Sequence, residues 1–190
     1  FYDLAPDMPN DVPFYIRRLP SSDAHVLELG CGTGRVTVPL AQHGGFVQGI
    51  DHSVDMLRAC RSRLEAAGVA NADVALGDIP DLRLDHSYDF IIAPYRVMHN
   101  LETDVEVRGL FSGIRRHLRP GGRCILNTFG LQRTREQLVD RWSTPEESLD
   151  WEVEVEDGKV ACYARRLGIS IDPLVLRPEL AYRVYRGGEM

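Results

Sequence analysis

Three carboxylates and three glycines carry the chemistry this chain can offer. Glu28, Asp51 and Asp78 each stand at or near the end of a short apolar run, and Gly30, Gly32 and Gly34 follow the first of them at alternate positions. Glycine allows backbone angles that a side chain forbids and lets a ligand lie against the main chain. An ionised carboxylate accepts charge-assisted hydrogen bonds worth roughly 1.5–3 kcal/mol each. Asp51, 17 residues after Gly34, suits a ribose diol. Asp78 suits an adenine amino group, with Ile79 packing on the ring. Glu28 suits the positive charge of an ammonium or sulfonium group and would repel a pyrophosphate. The expected ligand is a nucleotide-like small molecule. Dinucleotide-binding turns carry G-x-G-x-x-G. Here the third glycine comes one position early and Arg35 takes its place, which argues against hydride transfer with a nicotinamide cofactor.

Bringing three acids to one edge requires a sheet whose strands end together. Five strand-like runs alternate with helical patterns: His25 to Leu29, Phe46 to Ile50, Asp73 to Leu76, Tyr88 to Ala93, and Arg123 to Phe129 after the turn Pro120-Gly121-Gly122. Helices are expected at about 35–43, 53–67 and 104–118. Ser53 can cap the second and Asp55 suits its positive end. Met56, Leu57, Cys60 and Leu64 then recur at helical spacing. Such alternation predicts an α/β fold: a Rossmann-like, mostly parallel sheet with helices on both faces. In open sheets of this kind the ligand sits at the carboxyl edge.

The last forty residues read differently. Trp151, Val153 and Val155 alternate with Glu152, Glu154 and Glu156, and Asp157-Gly158 is a hairpin signal. Val160 to Tyr163 and Ala181 to Tyr185 read as returning strands. The expected organisation is a ligand-binding core with an N-terminal lid segment at 1–130, and a helix with an antiparallel β segment at 131–190, covering the substrate. Gly187-Gly188 is a turn signal with no strand after it, so the natural chain is expected to continue past Met190.

Composition narrows the class. The 190 residues can bury a sizeable core. Their 22 basic and 28 acidic side chains give a net charge of -6, and Arg17-Arg18, Arg115-Arg116-His117 and Arg165-Arg166 are short and scattered, so no nucleic-acid partner is expected. Cys31, Cys60, Cys124 and Cys162 form no metal-ligand spacing, and the histidines His25, His43, His52, His86 and His117 are dispersed, so no metal is expected. A reducing, cytoplasmic setting is the expectation. No apolar run is long enough to span a membrane, and no signal-peptide pattern appears.

The segments VLELGCGTGRVTVPLA, GFVQGIDHSVDML, ALGDIPDL, YDFIIAPYRVMHNL and LRPGGRCILNTF, in this order from residue 26 to 129, resemble the class I S-adenosylmethionine-dependent methyltransferases. The resemblance is closest to compact bacterial enzymes that act on small molecules. It implies that Glu28, Gly30, Cys31, Gly32, Gly34, Asp51, Asp78 and Ile79 line the cofactor site. Tyr2, His52, Met56, Gly77 and Pro94 are counted with them. It implies a lid from the aromatic N-terminal segment Tyr2-Asp3 and Phe14-Tyr15. It also implies two antiparallel strands closing the sheet, which the terminal segment does not plainly supply. Ala93-Pro94-Tyr95 departs from the Asn/Asp-Pro-Pro-Tyr motif of enzymes that methylate amide or base nitrogens, because Ala93 offers no acceptor for an amino group.

Methyl transfer from a sulfonium is an in-line displacement, in which orienting the acceptor can be worth roughly 7–11 kcal/mol. Tyr15, Tyr95, Arg96 and His99 are expected on the acceptor side. Tyr95 and His99 are the catalytic candidates, with His99 as a general base where the acceptor is a hydroxyl. The expected activity is transfer of the methyl of S-adenosylmethionine to N or O of a small molecule, leaving S-adenosylhomocysteine. A peptide, protein or RNA acceptor, and a non-catalytic module that only binds the cofactor, remain open readings. The oligomeric state is not legible in the sequence.

Overall fold

The chain folds into two units, Asn10–Phe129 and Phe1–Pro9 together with Gly130–Met190. The computed structural model describes residues 1–128, 130, 132–142, 145–172 and 174–186. Phe129, Gly187, Gly188 and Met190, on which some expectations fall, lie outside the described residues.

The larger unit contains α1 (Val12–Ile16), β1 (His25–Leu29), α2 (Thr37–Gln42), β2 (Phe46–Asp51), α3 (Val54–Ala66), β3 (Ala72–Leu76), β4 (Tyr88–Ala93), α4 (Asp104–His117) and β5 (Leu118–Leu126). Short 3-10 turns span Ile79–Asp81 and Val97–Asn100. The strands pair in the order β3-β2-β1-β4-β5, every pair parallel. The order reverses direction between β1 and β4, and that switch point is where an open α/β sheet leaves a crevice beyond its strand ends.

A parallel sheet is covered on both faces, so its strands read as apolar runs. On one face Val26, Val47, Phe90 and Ile92 pack against Tyr15 of α1 and Val36, Leu40 and Ala41 in and before α2. Leu57, Cys60 and Leu64 of α3 cover Val74. On the other face Leu27, Leu29, Ile50 and Ile91 meet Leu110 and Ile114 of α4. Helix starts follow local chemistry. The Ser53 hydroxyl accepts the Met56 N–H at 3.3 Å. Thr103 and Glu106 form a reciprocal capping box on α4.

The boundaries differ from the sequence reading chiefly at β5, which spans Leu118–Leu126 where the expected strand ran from Arg123 to Phe129, and at α2. β5 begins at Leu118, not Arg123: Leu118 pairs with Tyr88, the register shifts, and Arg123 then pairs with Phe90. The Pro120-Gly121-Gly122 turn is thus an irregularity within the strand, with Gly121 at φ +80°. α2 is shorter than expected because residues 30–36 are taken up by the glycine turn, in which the Gly34 N–H donates to the Cys31 carbonyl at 3.0 Å.

The smaller unit contains a 3-10 turn at Tyr2–Leu4, α5 (Arg135–Trp142), β6 (Ser148–Val155), β7 (Gly158–Ile171) and β8 (Leu174–Tyr185). Its sheet, β6-β7-β8, is antiparallel throughout. Val155 pairs with Gly158 across the expected hairpin. β7 and β8 run well beyond their apolar stretches, because charged side chains alternate onto exposed faces without breaking the ladder, as with the Arg165–Glu179 ion pair at 3.7 Å. Among the described residues these strands pair with one another and none joins the parallel sheet, contrary to the closing strands implied by the resemblance. Phe1–Pro9, read from sequence with the core, groups with this unit, where the Phe1 ring stacks on Tyr182 at 6.0 Å. No helix among the described residues is long and apolar enough to cross a membrane.

Candidate functional site

The turn after β1 is built from backbone demands. Gly30, Gly32 and Gly34 take φ of +70°, +54° and +86°. A Cβ at Gly30 would lie 2.4 Å from Val97 Cγ2, and one at Gly34 would lie 2.6 Å from Cys60 Sγ. A Cβ at Gly32 would meet nothing within 4 Å. The outer glycines are therefore required by packing, whereas the middle one presents bare main chain to open space. The Gly30 and Cys31 N–H groups donate to the Ile50 carbonyl at 2.7 and 3.1 Å. Arg63 of α3 holds the loop through the Thr33 carbonyl (3.3 Å) and hydroxyl (3.0 Å).

Asp51, the last residue of β2, is only 7% exposed and faces this loop. Its Oδ2 accepts the Gly32 N–H at 2.8 Å and its Oδ1 accepts the Ser53 N–H at 2.9 Å. A carboxylate offers about four lone-pair positions, so acceptor capacity remains on both oxygens. The Gly77 N–H donates to the Asp51 carbonyl at 3.0 Å, tying the end of β3 to the end of β2. Asp78 is exposed and leads into the turn that begins at Ile79, which is half-buried. The His52 ring is exposed, with Nδ1 3.8 Å from Asp51 Oδ1. Met56, half-buried, lies in the first turn of α3.

Glu28 is placed differently from the expectation of a counter-charge at the mouth of the turn. It is 2% exposed within β1, on the face covered by α2, and its Oε2 accepts the Thr37 hydroxyl at 2.5 Å. Burial pushes its pKa up to about 8, against the smaller opposing effect of the Thr37 bond. At neutral pH the group is therefore largely protonated. The Cys31 side chain also turns inward: its Sγ would lie 2.8 Å from a Cβ on Gly49. A hydrogen bond between the Cys31 and Cys60 thiols raises the pKa of the first and lowers that of the second.

Beyond β4 the backbone is strained. Tyr95 (φ +50°) and Arg96 (φ +68°) are the only non-glycine residues with positive φ among the described residues. Such conformations cost on the order of 1–3 kcal/mol each and persist where the surroundings impose them. Asn127 bonds on both sides of this turn: its Oδ1 accepts the Arg96 N–H at 3.1 Å, and its own N–H donates to the Ala93 carbonyl at 3.0 Å. The Tyr95 ring lies 5.8 Å from the Arg35 guanidinium and 5.5 Å from that of Arg96. Arg35 is in turn held by a forked ion pair with Asp11. Pro94 is buried, and His99 is exposed on the following 3-10 turn.

The fold thus gathers Gly30, Gly32, Gly34, Asp51, His52, Met56, Gly77, Asp78, Ile79, Pro94, Tyr95, Arg96 and His99 on loops and first turns at one edge of the sheet. Tyr15 is not among them. It is 2% exposed in the core, and burial pushes its pKa up to about 12, so its hydroxyl is not presented as an acceptor contact. Tyr2 belongs to the other unit. Asn127 and Asp11 were not legible as site residues, because only the parallel register and the packing of α1 bring them there. At the opposite edge, a polar depression of about 410 Å³ is lined by Asp23, His25, Asp89 and Arg119. Asp89 there accepts from the His25 N–H (2.9 Å) and Arg119 (2.7 Å), an arrangement that fixes strands.

The family described as "Methyltransferase domain" matches residues 26–122. A cypemycin N-terminal methyltransferase from a Streptomyces species is 33% identical over 111 residues, covering 57% of this chain and 43% of that protein. A trans-aconitate 2-methyltransferase from Paracidovorax citrulli is 45% identical over 75 residues, covering 35% of this chain and 29% of that protein. Each match thus takes in less than half of the relative's length. Among solved structures, an amino pentose methyltransferase from Micromonospora echinaspora with S-adenosylmethionine bound superposes with a TM-score of 0.63 at 21% identity, covering 92% of this chain and 74% of that one.

Proposed function

We propose, from the premise that this chain belongs to the methyltransferase-domain family of the class I S-adenosylmethionine-dependent type, that it methylates a nitrogen or oxygen atom of a small molecule. The observation that carries this reading is the pairing of bare backbone at Gly32 with the Asp51 carboxylate beneath it. A ligand with a ribose next to a main-chain contact fits that pairing.

The residues present suit S-adenosylmethionine. Asp51 keeps free acceptor positions for the ribose diol, Asp78 is exposed for the adenine amino group, and Ile79 offers an apolar surface beside it. When bound, the cofactor supplies a methyl group on a positively charged sulfur, already activated toward displacement. What remains for the chain is orientation, worth roughly 7–11 kcal/mol when complete. Tyr95 and Arg96 are assigned to holding the acceptor. His99 takes a proton where the acceptor is a hydroxyl. Glu28, buried and with its pKa pushed up, bonds to Thr37 at the start of α2 and is not assigned a role as a standing negative charge.

Calorimetric titration with S-adenosylmethionine, S-adenosylhomocysteine and NAD tests the reading. Micromolar binding of the first two and none of NAD is expected. Binding of NAD alone, or of none of the three, would overturn it.

A further inference from the structure

We propose that His117 is a positioning residue for recognition of the adenine base: its Nε2 holds the Leu84 N–H and so fixes the segment that presents Asp78 and Ile79. The inference rests on the reading of the site given above, in which those two residues meet the base. Residues 77–87 join β3 to β4 with one short 3-10 turn as their regular structure. Such a segment takes its shape from what it rests on, and it rests on α4. The Leu84 N–H donates to His117 Nε2 at 2.9 Å, and the Arg116 guanidinium donates to the Leu82 carbonyl at 3.0 Å. A Cβ on Gly109 would lie 2.3 Å from the Pro80 carbonyl oxygen, so main chain meets main chain there. The Leu82 side chain joins Leu110 and Ile114 of α4 in the core.

The His117 imidazole is 1% exposed and both its nitrogens are engaged. Nδ1 lies 2.7 Å from the Gly113 carbonyl, which can only accept. The ring proton is therefore on Nδ1, and Nε2 is the bare acceptor for Leu84. An apolar side chain would fill this space and leave the Leu84 N–H without that partner. The core around His117 thus has no need of a histidine, whereas the segment it holds does. At its other end the same segment is tied to β2, where the Gly77 N–H donates to the Asp51 carbonyl at 3.0 Å. Between these two bonds, Asp78 and Ile79 are set at a fixed place relative to Asp51, as recognition of a base joined to a ribose requires.

Two near-isosteric substitutions separate the two bonds of the ring. His117→Gln places an amide oxygen where Nε2 stands and keeps an acceptor for Leu84. His117→Asn keeps only a donor at the Nδ1 position, toward Gly113. The full chain is titrated calorimetrically with S-adenosylhomocysteine and with S-inosylhomocysteine, in which an oxygen replaces the adenine amino group. The unaltered chain is expected to prefer the adenine ligand by about tenfold or more. His117→Gln should keep that preference within about twofold, and His117→Asn should lower it about threefold or more. Equal weakening of both ligands in His117→Asn, with the preference kept, would make His117 structural support and overturn the proposal alone. Loss of the preference in His117→Gln would do the same. Where His117→Asn does not fold, hydrogen exchange in the unaltered chain decides. Binding and the latch must favour each other reciprocally, so S-adenosylhomocysteine should slow exchange of the Leu84 amide about fivefold more than that of the His25 amide, which Asp89 holds at the opposite edge. Equal slowing of the two amides would overturn the proposal. Equal affinity of the unaltered chain for the two ligands would overturn the adenine reading of Asp78, and the proposal with it.

Discussion

Asp51 and Glu28 show how far a carboxyl group's role depends on what surrounds it. Asp51 accepts from Gly32 and Ser53 and keeps acceptor capacity for a ligand. Asp51→Ala is expected to weaken S-adenosylhomocysteine binding at least tenfold, since it removes charge-assisted bonds to the ribose and loosens the loop. Calorimetry on a variant shown to be folded checks this; unchanged affinity would place the ribose elsewhere. Glu28 has the opposite electrostatics. Its pKa rises from 4.5 to about 8 on folding, so between those values the folded chain binds more protons than the unfolded chain. Stability contributed at this site is therefore present below about pH 4.5, declines as pH rises toward 8, and levels off above. Glu28→Gln keeps a carbonyl oxygen for the Thr37 hydroxyl and should flatten the fall in melting temperature between pH 5 and pH 8. An equally steep fall in the variant would assign the pH dependence to another group.

At the scale of elements, the glycine turn separates packing from ligand contact. Gly34→Ala places a Cβ 2.6 Å from Cys60 Sγ at a positive φ, so thermal melts should show it the more destabilising of the two substitutions. Gly32→Ala meets no protein atom within 4 Å and should cost about 1–2 kcal/mol from backbone conformation alone. Its affinity for S-adenosylhomocysteine should nevertheless fall at least tenfold. If Gly32→Ala binds normally, the ligand does not lie against that backbone. The turn itself, β1 and β4 were legible because apolar runs ending in glycine or proline encode their own boundaries. The Ser53 cap on α3 was legible for the same local reason. β5 was misjudged at its start because the pairing of Leu118 with Tyr88 is a property of the sheet, not of the Pro120-Gly121-Gly122 signal. β7 and β8 were underestimated because their charged positions are half of an alternation that only cross-strand pairing reveals.

For the whole molecule, ligand binding and folding are linked. Saturation with S-adenosylhomocysteine at a hundred times its dissociation constant should stabilise the ligand-binding unit by about 2.7 kcal/mol, seen as a rise of several degrees in the melt. NAD at the same concentration should leave the melt unchanged. A rise with NAD and none with S-adenosylhomocysteine would return the dinucleotide reading. The sequence alone determined the α/β class, the placing of Asp51 and Asp78 at and just past the ends of consecutive strands, and the antiparallel character of the last segment, because each is written in local periodicity and in residues with special backbone freedom. Only the tertiary structure decided that Glu28 lies under α2, that Tyr15 is core, that Phe1–Pro9 groups with the C-terminal strands, and that Asn127 holds Arg96 across 31 residues. Burial and long-range hydrogen bonds depend on which elements pack together, and no local pattern carries that information.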